Sequence, residues 1–348
     1  MGLSTAGHGH TRETLRSVAV RPAWAVHVAL LVPFLLGVSV PLEVQYLPLA
    51  VSVAVLGLPH GAVDHLALER SRGEPPTYRG MLLVGSLYAL LGGAYLALWL
   101  LAPVASFVLF VGITWVHWGQ GDVYALVAVE GVDHLRTPVQ RALAAAVRGG
   151  LPMLVPLLSY PEQYREVAAL LVGRFGVTAA AADLAPLFGT GTRLVLGAGF
   201  AALTIAALAL GVRRGAGLDD PGWRVDALET GLLWAYFLVV PPVLAIGVYF
   251  CLWHSVRHIA RLALVDPRAA GALGRGDWTA ALARFARDAA PLTAVSLAFL
   301  GAFYLLVPAR PTDLPETVGL YLVLIAVLTL PHVVVVSLMD RAEGVWSV

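Results

Sequence analysis

Apolar runs recur along the whole chain, and a run of about 20 mostly apolar residues is what a helix needs to cross a bilayer. Nine stand out, over residues 24–40, 46–68, 81–101, 104–129, 139–158, 193–212, 228–264, 290–307 and 318–338. A tenth, 167–188, is interrupted by Arg174 and Asp183. Hydrocarbon offers no water to stray backbone N–H and C=O groups, so such runs must be helical. The sequence therefore predicts an all-α fold, a polytopic transmembrane helical bundle of eight to ten spans, with ten the preferred count. Composition agrees: 59% of the 348 residues are hydrophobic and 13% charged, against roughly 25% charged in soluble domains.

The run at 228–264 is too long for one straight span, and Pro241-Pro242 should break or kink it. Residues 271–287, where Trp278 and Phe285 oppose Arg284 and Arg287, read as a loop followed by an amphipathic helix lying in the interface. No linker or composition shift divides the chain. It reads as one integral membrane domain over 1–348, with a polar N-terminal arm over 1–22 and the bundle over 23–348. No cleavable signal peptide is expected, because the first apolar run follows that polar arm without a small-residue cleavage site.

Orientation follows from the arginines, which favour the cytoplasmic side of a membrane. The arm carries Arg12, Arg16 and Arg21; the loop after the second run carries Arg70, Arg72 and Arg79. Arg136 and Arg141 follow the fourth run, whereas the connections around Glu43 and Pro103 have none. The chain is thus expected in the plasma membrane with a cytoplasmic N-terminus. Arg268, Arg275, Arg284 and Arg287 place the segment after residue 258 on the same side. An odd number of crossings must then separate Arg141 from Leu228. That requirement favours counting 167–188 as a crossing, or a neighbouring run as re-entrant.

A net charge of +1 gives no reason to expect nucleic acid. All 23 basic residues are arginine. The single cysteine, Cys251, excludes an intramolecular disulfide and any cysteine-rich zinc or iron–sulfur site.

The ten histidines are unevenly placed. His8 and His10 belong to the arm, while His27 and His134 look incidental. His60, His65, His117, His254, His258 and His332 all fall within apolar runs or at their ends. An unpartnered ring nitrogen in hydrocarbon costs several kcal/mol, so ionisable residues there usually face the bundle interior and mark function. His254 and His258 are four residues apart, on one face of a helix, where two imidazoles can reach one ion. By the orientation above, the histidine-bearing runs point the same way and bring these residues to similar depth.

Local context separates their expected roles. Asp64 shares a face with His60 and could orient a ligand ring from behind. His65 and Asp122 each follow the first histidine of their motif by five residues, about 140° around the helix, which sets them behind the metal position. His332 fits as ligand, support or tunnel wall. Without thiolates, imidazoles suit iron, zinc or copper. A catalytic zinc helix of the His-Glu-x-x-His type does not occur, and imidazoles without a carboxylate ligand are compatible with Fe(2+). Trp118 and Trp253 flank the histidines and could line a flat hydrophobic tunnel. Two other classes would use some of the same residues: a transporter or proton conduit with Asp64 and Asp122 as relay, and a di-metal membrane oxygenase. The latter needs short His-x-x-His-His boxes, and none occurs.

Four motifs in order, Pro59-His60-Gly61-x-x-Asp64-His65, His117-Trp118-Gly119-x-x-Asp122, Trp253-His254-x-x-Arg257-His258 and Pro331-His332, resemble the Brp/Blh family of bacterial and archaeal β-carotene 15,15′-dioxygenases. The resemblance runs from about residue 55 to the C-terminus. It implies an iron-dependent enzyme of the lipid bilayer that splits β-carotene at its central double bond. O2 is the co-substrate and two all-trans-retinal molecules are the product, destined for a rhodopsin partner. Matched motif by motif, it implies His60, His117, His254 and His258 as iron ligands.

Overall fold

The computed structural model describes residues 5–173, 175, 184–214, 217–306 and 310–347. Every element among the described residues is helical. Eight helices are long and apolar enough to cross a membrane: Gly9–Leu35, Leu42–Ser71, Tyr78–Leu101, Pro138–Ser159, Thr190–Arg213, Pro242–Val265, Trp278–Leu305 and Leu314–Ala342. This is a multi-pass membrane protein. Two more helices, Pro103–Tyr124 and Pro221–Val239, lie among them and carry buried polar residues.

Caps written into the sequence begin several of these helices. The side chains of Thr77, Thr137, Asp220 and Asp313 accept backbone N–H groups of the first turn, and Pro138 and Pro221 fill the following position. A capping oxygen satisfies a donor that the helix itself leaves free, and proline there has no N–H to lose.

Cross-chain contacts show which helix ends lie together. Arg16 pairs with Glu130 at 3.3 Å, Arg70 with Asp266 at 3.1 Å and with Asp288 at 2.8 Å, and Arg141 donates to the Val345 carbonyl at 2.5 Å. The arginine-rich segments therefore share one end of the bundle. At the other end Tyr160 donates to the Val239 carbonyl at 2.5 Å and Arg193 to that of Leu158 at 2.9 Å.

These contacts correct the expected path between residues 141 and 264. The central part of the stretch at 167–188, residues 174 and 176–183, lies outside the described residues; its flanks at Tyr160 and Arg193 mark the same end of the bundle. The odd crossing comes from the proline pair instead. Helix Pro221–Val239 stops there and Pro242–Val265 starts in the opposite direction, with Tyr236 Oη 3.4 Å from the Ala245 carbonyl across the turn. Pro241 and Pro242 both lack an N–H, so the helix ladder cannot pass through them.

Residues 278–287 also differ from expectation. They form no separate interfacial helix but open a continuous 29-residue helix, Trp278–Leu306. Asp277 starts it by accepting the Ala280 N–H at 3.0 Å, and no helix breaker intervenes before Pro291. Arg284 turns inward to Asp266 at 3.1 Å. The N-terminal arm is helical from Thr5 and continues through a π-helical turn, Arg16–Val20, into Arg21–Leu35. Its Leu15 and Val20 pack against Ala260, Ala263, Ala269 and Leu273.

Candidate metal centre

The second apolar run is a broken helix, in four pieces: Leu42–Gln45, Leu47–Ser52, Gly57–Gly61 and Asp64–Ser71. Its main break is a γ-turn at Leu56, whose φ of 64° and ψ of −48° bring the Gly57 N–H to the Val55 carbonyl at 2.7 Å. A Cβ on Gly57 would sit 2.4 Å from the Ser52 carbonyl oxygen, so no other residue fits the turn. Non-glycine residues at positive φ are costly and cluster at functional sites. Here the turn starts the short helix that presents Pro59-His60 to the bundle interior. His60 Nδ1 meets the Gly57 carbonyl, with Ser255 Oγ at 3.4 Å. A carbonyl only accepts, so Nδ1 carries the proton and Nε2 keeps a lone pair.

His117 comes from helix Pro103–Tyr124, and neither of its ring nitrogens has a partner. His254 closes a π-helical turn, Tyr249–Ser255, a type of irregularity frequent at functional sites. His258 follows on Val256–Val265, and the Nε2 atoms of both residues are buried and unpartnered. His332 comes from Leu314–Ala342.

The rings of five histidines meet. His60 lies 5.3 Å from His254 and 5.5 Å from His258, and His117 lies 4.7 Å from His254, ring centre to ring centre. His332 is 4.6 Å from His117, 5.1 Å from His258 and 5.2 Å from His60. One ring nitrogen each from His60, His117 and His332 lie within 4.8 Å of one another, and so do ring nitrogens of His258 and His332 with an Asp64 oxygen. All five are buried. Such a set of lone pairs, shielded from water and from one another's hydrogen bonds, is compatible with a bound metal ion.

Four of these histidines, His60, His117, His254 and His332, lie on the wall of a cavity of about 900 Å³. Its wall is overwhelmingly apolar, with Phe107, Phe110, Trp118, Phe250 and Phe303 among the aromatics, and among the described residues Asp64 is its one carboxylate. A mostly apolar cavity with few convergent polar groups is the usual form of a small-molecule site.

The other sequence candidates separate. Asp64 accepts from Tyr88 Oη and stands against His332 Nδ1, both at 2.7 Å, rather than behind His60. His65 borders the cavity and meets the Ala62 carbonyl at 3.1 Å, outside the cluster. Asp122 does not orient a histidine: it accepts from Trp253 Nε1 at 3.0 Å and pairs with Arg257 at 3.4 Å. Trp118 is on the cavity wall and Trp253 is not, because the bond to Asp122 turns its indole away.

That bond belongs to a buried ionic network. Arg148 pairs with Asp226 at 2.9 Å and Glu229 at 2.8 Å, Arg257 also pairs with Glu229, and Trp24 Nε1 donates to Glu229 at 2.7 Å. The network ties together five helices. His134 meets Asp226 at 3.1 Å, and His27 packs its ring 5.0 Å from that of Trp253. Both histidines are buried, so neither is incidental. Sequence reasoning passed over Arg148 and Glu229, although charges inside apolar runs carry the same signal as the histidines.

Comparison with known proteins gives the family. Residues 51–340 match the family model for beta-carotene 15,15′-dioxygenase. The chain belongs to that family. A probable beta-carotene 15,15′-dioxygenase, Blh, from Halobacterium salinarum is 51% identical over 96% of this chain and 95% of its own length. A second family member from the same organism, the probable beta-carotene 15,15′-dioxygenase Brp, is 36% identical over 93% of this chain and 91% of its own. No solved structure matches. The family match spans the segments bearing all five clustered histidines.

Proposed function

We propose that this family member cleaves β-carotene at the central 15,15′ double bond with O2, giving two molecules of retinal. We further infer that His60, His117, His254 and His258 hold an Fe(2+) ion for that reaction. The observation that carries the reading is the buried set of unpartnered imidazole nitrogens on the wall of a large apolar cavity. When bound, iron supplies the means of activating O2, which does not react with a closed-shell polyene unaided.

The protein's own part is positioning and exclusion. β-Carotene is a hydrocarbon, so it is held by apolar contact, and the carboxylate that the described residues place on the cavity wall, Asp64, is already met by Tyr88 and His332. Adding O2 across one C=C bond and breaking that bond yields two aldehydes. The atoms balance without a reductant or proton, so the overall reaction asks for no acid or base from the wall. The His60 Nδ1–H bond to the Gly57 carbonyl fixes that ring's tautomer and leaves Nε2 free toward the cluster.

We infer that the arginine-rich end of the bundle faces the cytoplasm of the cell that carries the protein in its plasma membrane, and that retinal passes to a rhodopsin. A cysteine introduced near Gly73 should resist impermeant thiol reagents in intact cells; labelling from outside would invert the orientation. The reaction is tested by expression in cells that make β-carotene, with retinal scored by chromatography. Retinal should appear with the parent chain and not with His117→Ala, and an unchanged β-carotene pool with the parent would sink the reading.

A further inference from the structure

We propose that His332 is a fifth imidazole ligand of the centre, set in place by Asp64 and Tyr88. This rests on the four-histidine reading and extends it.

Three observations carry the assignment. The first is the direction of the hydrogen bonds. A carboxylate can only accept, so the 2.7 Å contact between Asp64 Oδ2 and His332 Nδ1 places the proton on Nδ1. The lone pair is then on Nε2, which is buried and has no partner. A histidine that merely supported a ligand would spend its nitrogens on that ligand's ring, and His332 contacts none by hydrogen bond. Tyr88 donates to the same carboxylate oxygen at 2.7 Å, which fixes the carboxylate in turn. A carboxylate behind a histidine is the usual support of a metal-binding imidazole.

The second is position. His332 lies 4.6–5.2 Å from His117, His258 and His60, whereas His60 and His117 are 6.5 Å apart and His117 and His258 6.3 Å. His332 thus stands as close to three of the proposed ligands as those ligands stand to one another. Its ring nitrogen lies within 4.8 Å of one ring nitrogen each from His60 and His117, which are likewise that close to each other.

The third is charge. Asp122, Asp226 and Glu229 are all paired with arginine, but the one ion-pair contact of Asp64 among the described residues is His332. Its Oδ1 is buried without a partner. A dication held through His332 supplies the missing positive charge at the end of the Tyr88–Asp64–His332 chain.

The test measures iron binding apart from turnover. Iron retained per chain is titrated against a chelator series for purified parent, His60→Ala, His332→Ala, His332→Gln and Asp64→Asn. X-ray absorption then counts imidazoles on the iron of the parent and of any variant that keeps it. An orienting carboxylate is worth about 10–100-fold in metal affinity. Asp64→Asn should lose that much, His332→Ala and His332→Gln more, and the parent should show five imidazoles. Should His332→Ala fail to fold, the glutamine variant and the parent count still decide. Added imidazole should restore iron to His332→Gly, which a packing role would not allow. Full iron affinity in the His332 variants, or four imidazoles in the parent, overturns the fifth ligand if His60→Ala loses iron. Full affinity in His60→Ala as well would instead sink the four-histidine reading beneath it.

Discussion

One helical segment, from Tyr249 to Val265, has two buried faces that treat their polar groups in opposite ways. On one face Arg257 reaches Glu229 and Asp122 and stacks on Trp253 at 4.0 Å. One turn on, Arg261 pairs with Asp340 at 2.8 Å and Glu343 at 2.6 Å and covers Tyr124 at 4.3 Å. On the other face His254 and His258 carry Nε2 atoms with no partner among the described residues. Burial is nearly the same on both, so burial does not separate them. Pairing does: charges met by protein carboxylates tie helices together, and imidazole nitrogens left open in a dry interior ask for something the protein chain does not supply.

That contrast can be broken at either face. The largest effect is expected on the histidine side: His254→Ala and His258→Ala should each abolish retinal formation and bound iron. The apo proteins should still purify, the variants losing the packing of a buried ring but no protein hydrogen bond to either Nε2. Full iron and turnover in either variant would reduce the pair to packing. On the arginine side, Arg257→Ala leaves Glu229 and Asp122 buried with fewer counter-charges, and breaking such a pair costs about 3–5 kcal/mol. Thermal unfolding in detergent should show that loss in apo protein as well as holo. A variant as stable as the parent would remove the ionic network from the account of the fold.

Asp64→Asn sits between the faces. It keeps the shape and weakens the hold on His332, so iron affinity should fall about 10–100-fold with little change in apo stability. Equal loss of stability would assign Asp64 to the structural side. The smallest effect is expected at His134→Ala, which strips one partner from buried Asp226. A cost of about 1–3 kcal/mol in stability with unaltered iron is the outcome to check. Loss of iron there would mean that the two faces are coupled.

The same two classes explain what could be read from the sequence. Apolar runs disclosed nearly every helix, since a bilayer admits little else. The hairpin at Pro241-Pro242 was legible as a break but not as a reversal, because direction is set by which ends pair, as Tyr160 with Val239. Arg284 and Arg287 disguised the start of the helix at Trp278 as an interfacial segment; Arg284 is met by Asp266, the residue that caps the preceding short helix, Pro267–Gly274. Of the site, the histidines were visible as costly residues in apolar runs. Their division of labour was not, because it depends on contacts such as Asp64 with His332, 268 residues apart. Trp253 was misplaced for a related reason: its neighbour His254 faces the cavity, and adjacent residues on a helix point about 100° apart.

The central claim is that the open nitrogens serve one metal ion. Elemental analysis of the purified parent protein, paired with its β-carotene turnover, tests it most directly. One iron per chain, lost in step with turnover when a chelator is added, is the result expected from a single cluster of imidazoles. Two irons per chain would point to a di-metal oxygenase. Turnover that survives without iron would contradict the account, and so would a folded protein with neither iron nor turnover, which would leave the histidines and Asp64 as a conduit for protons.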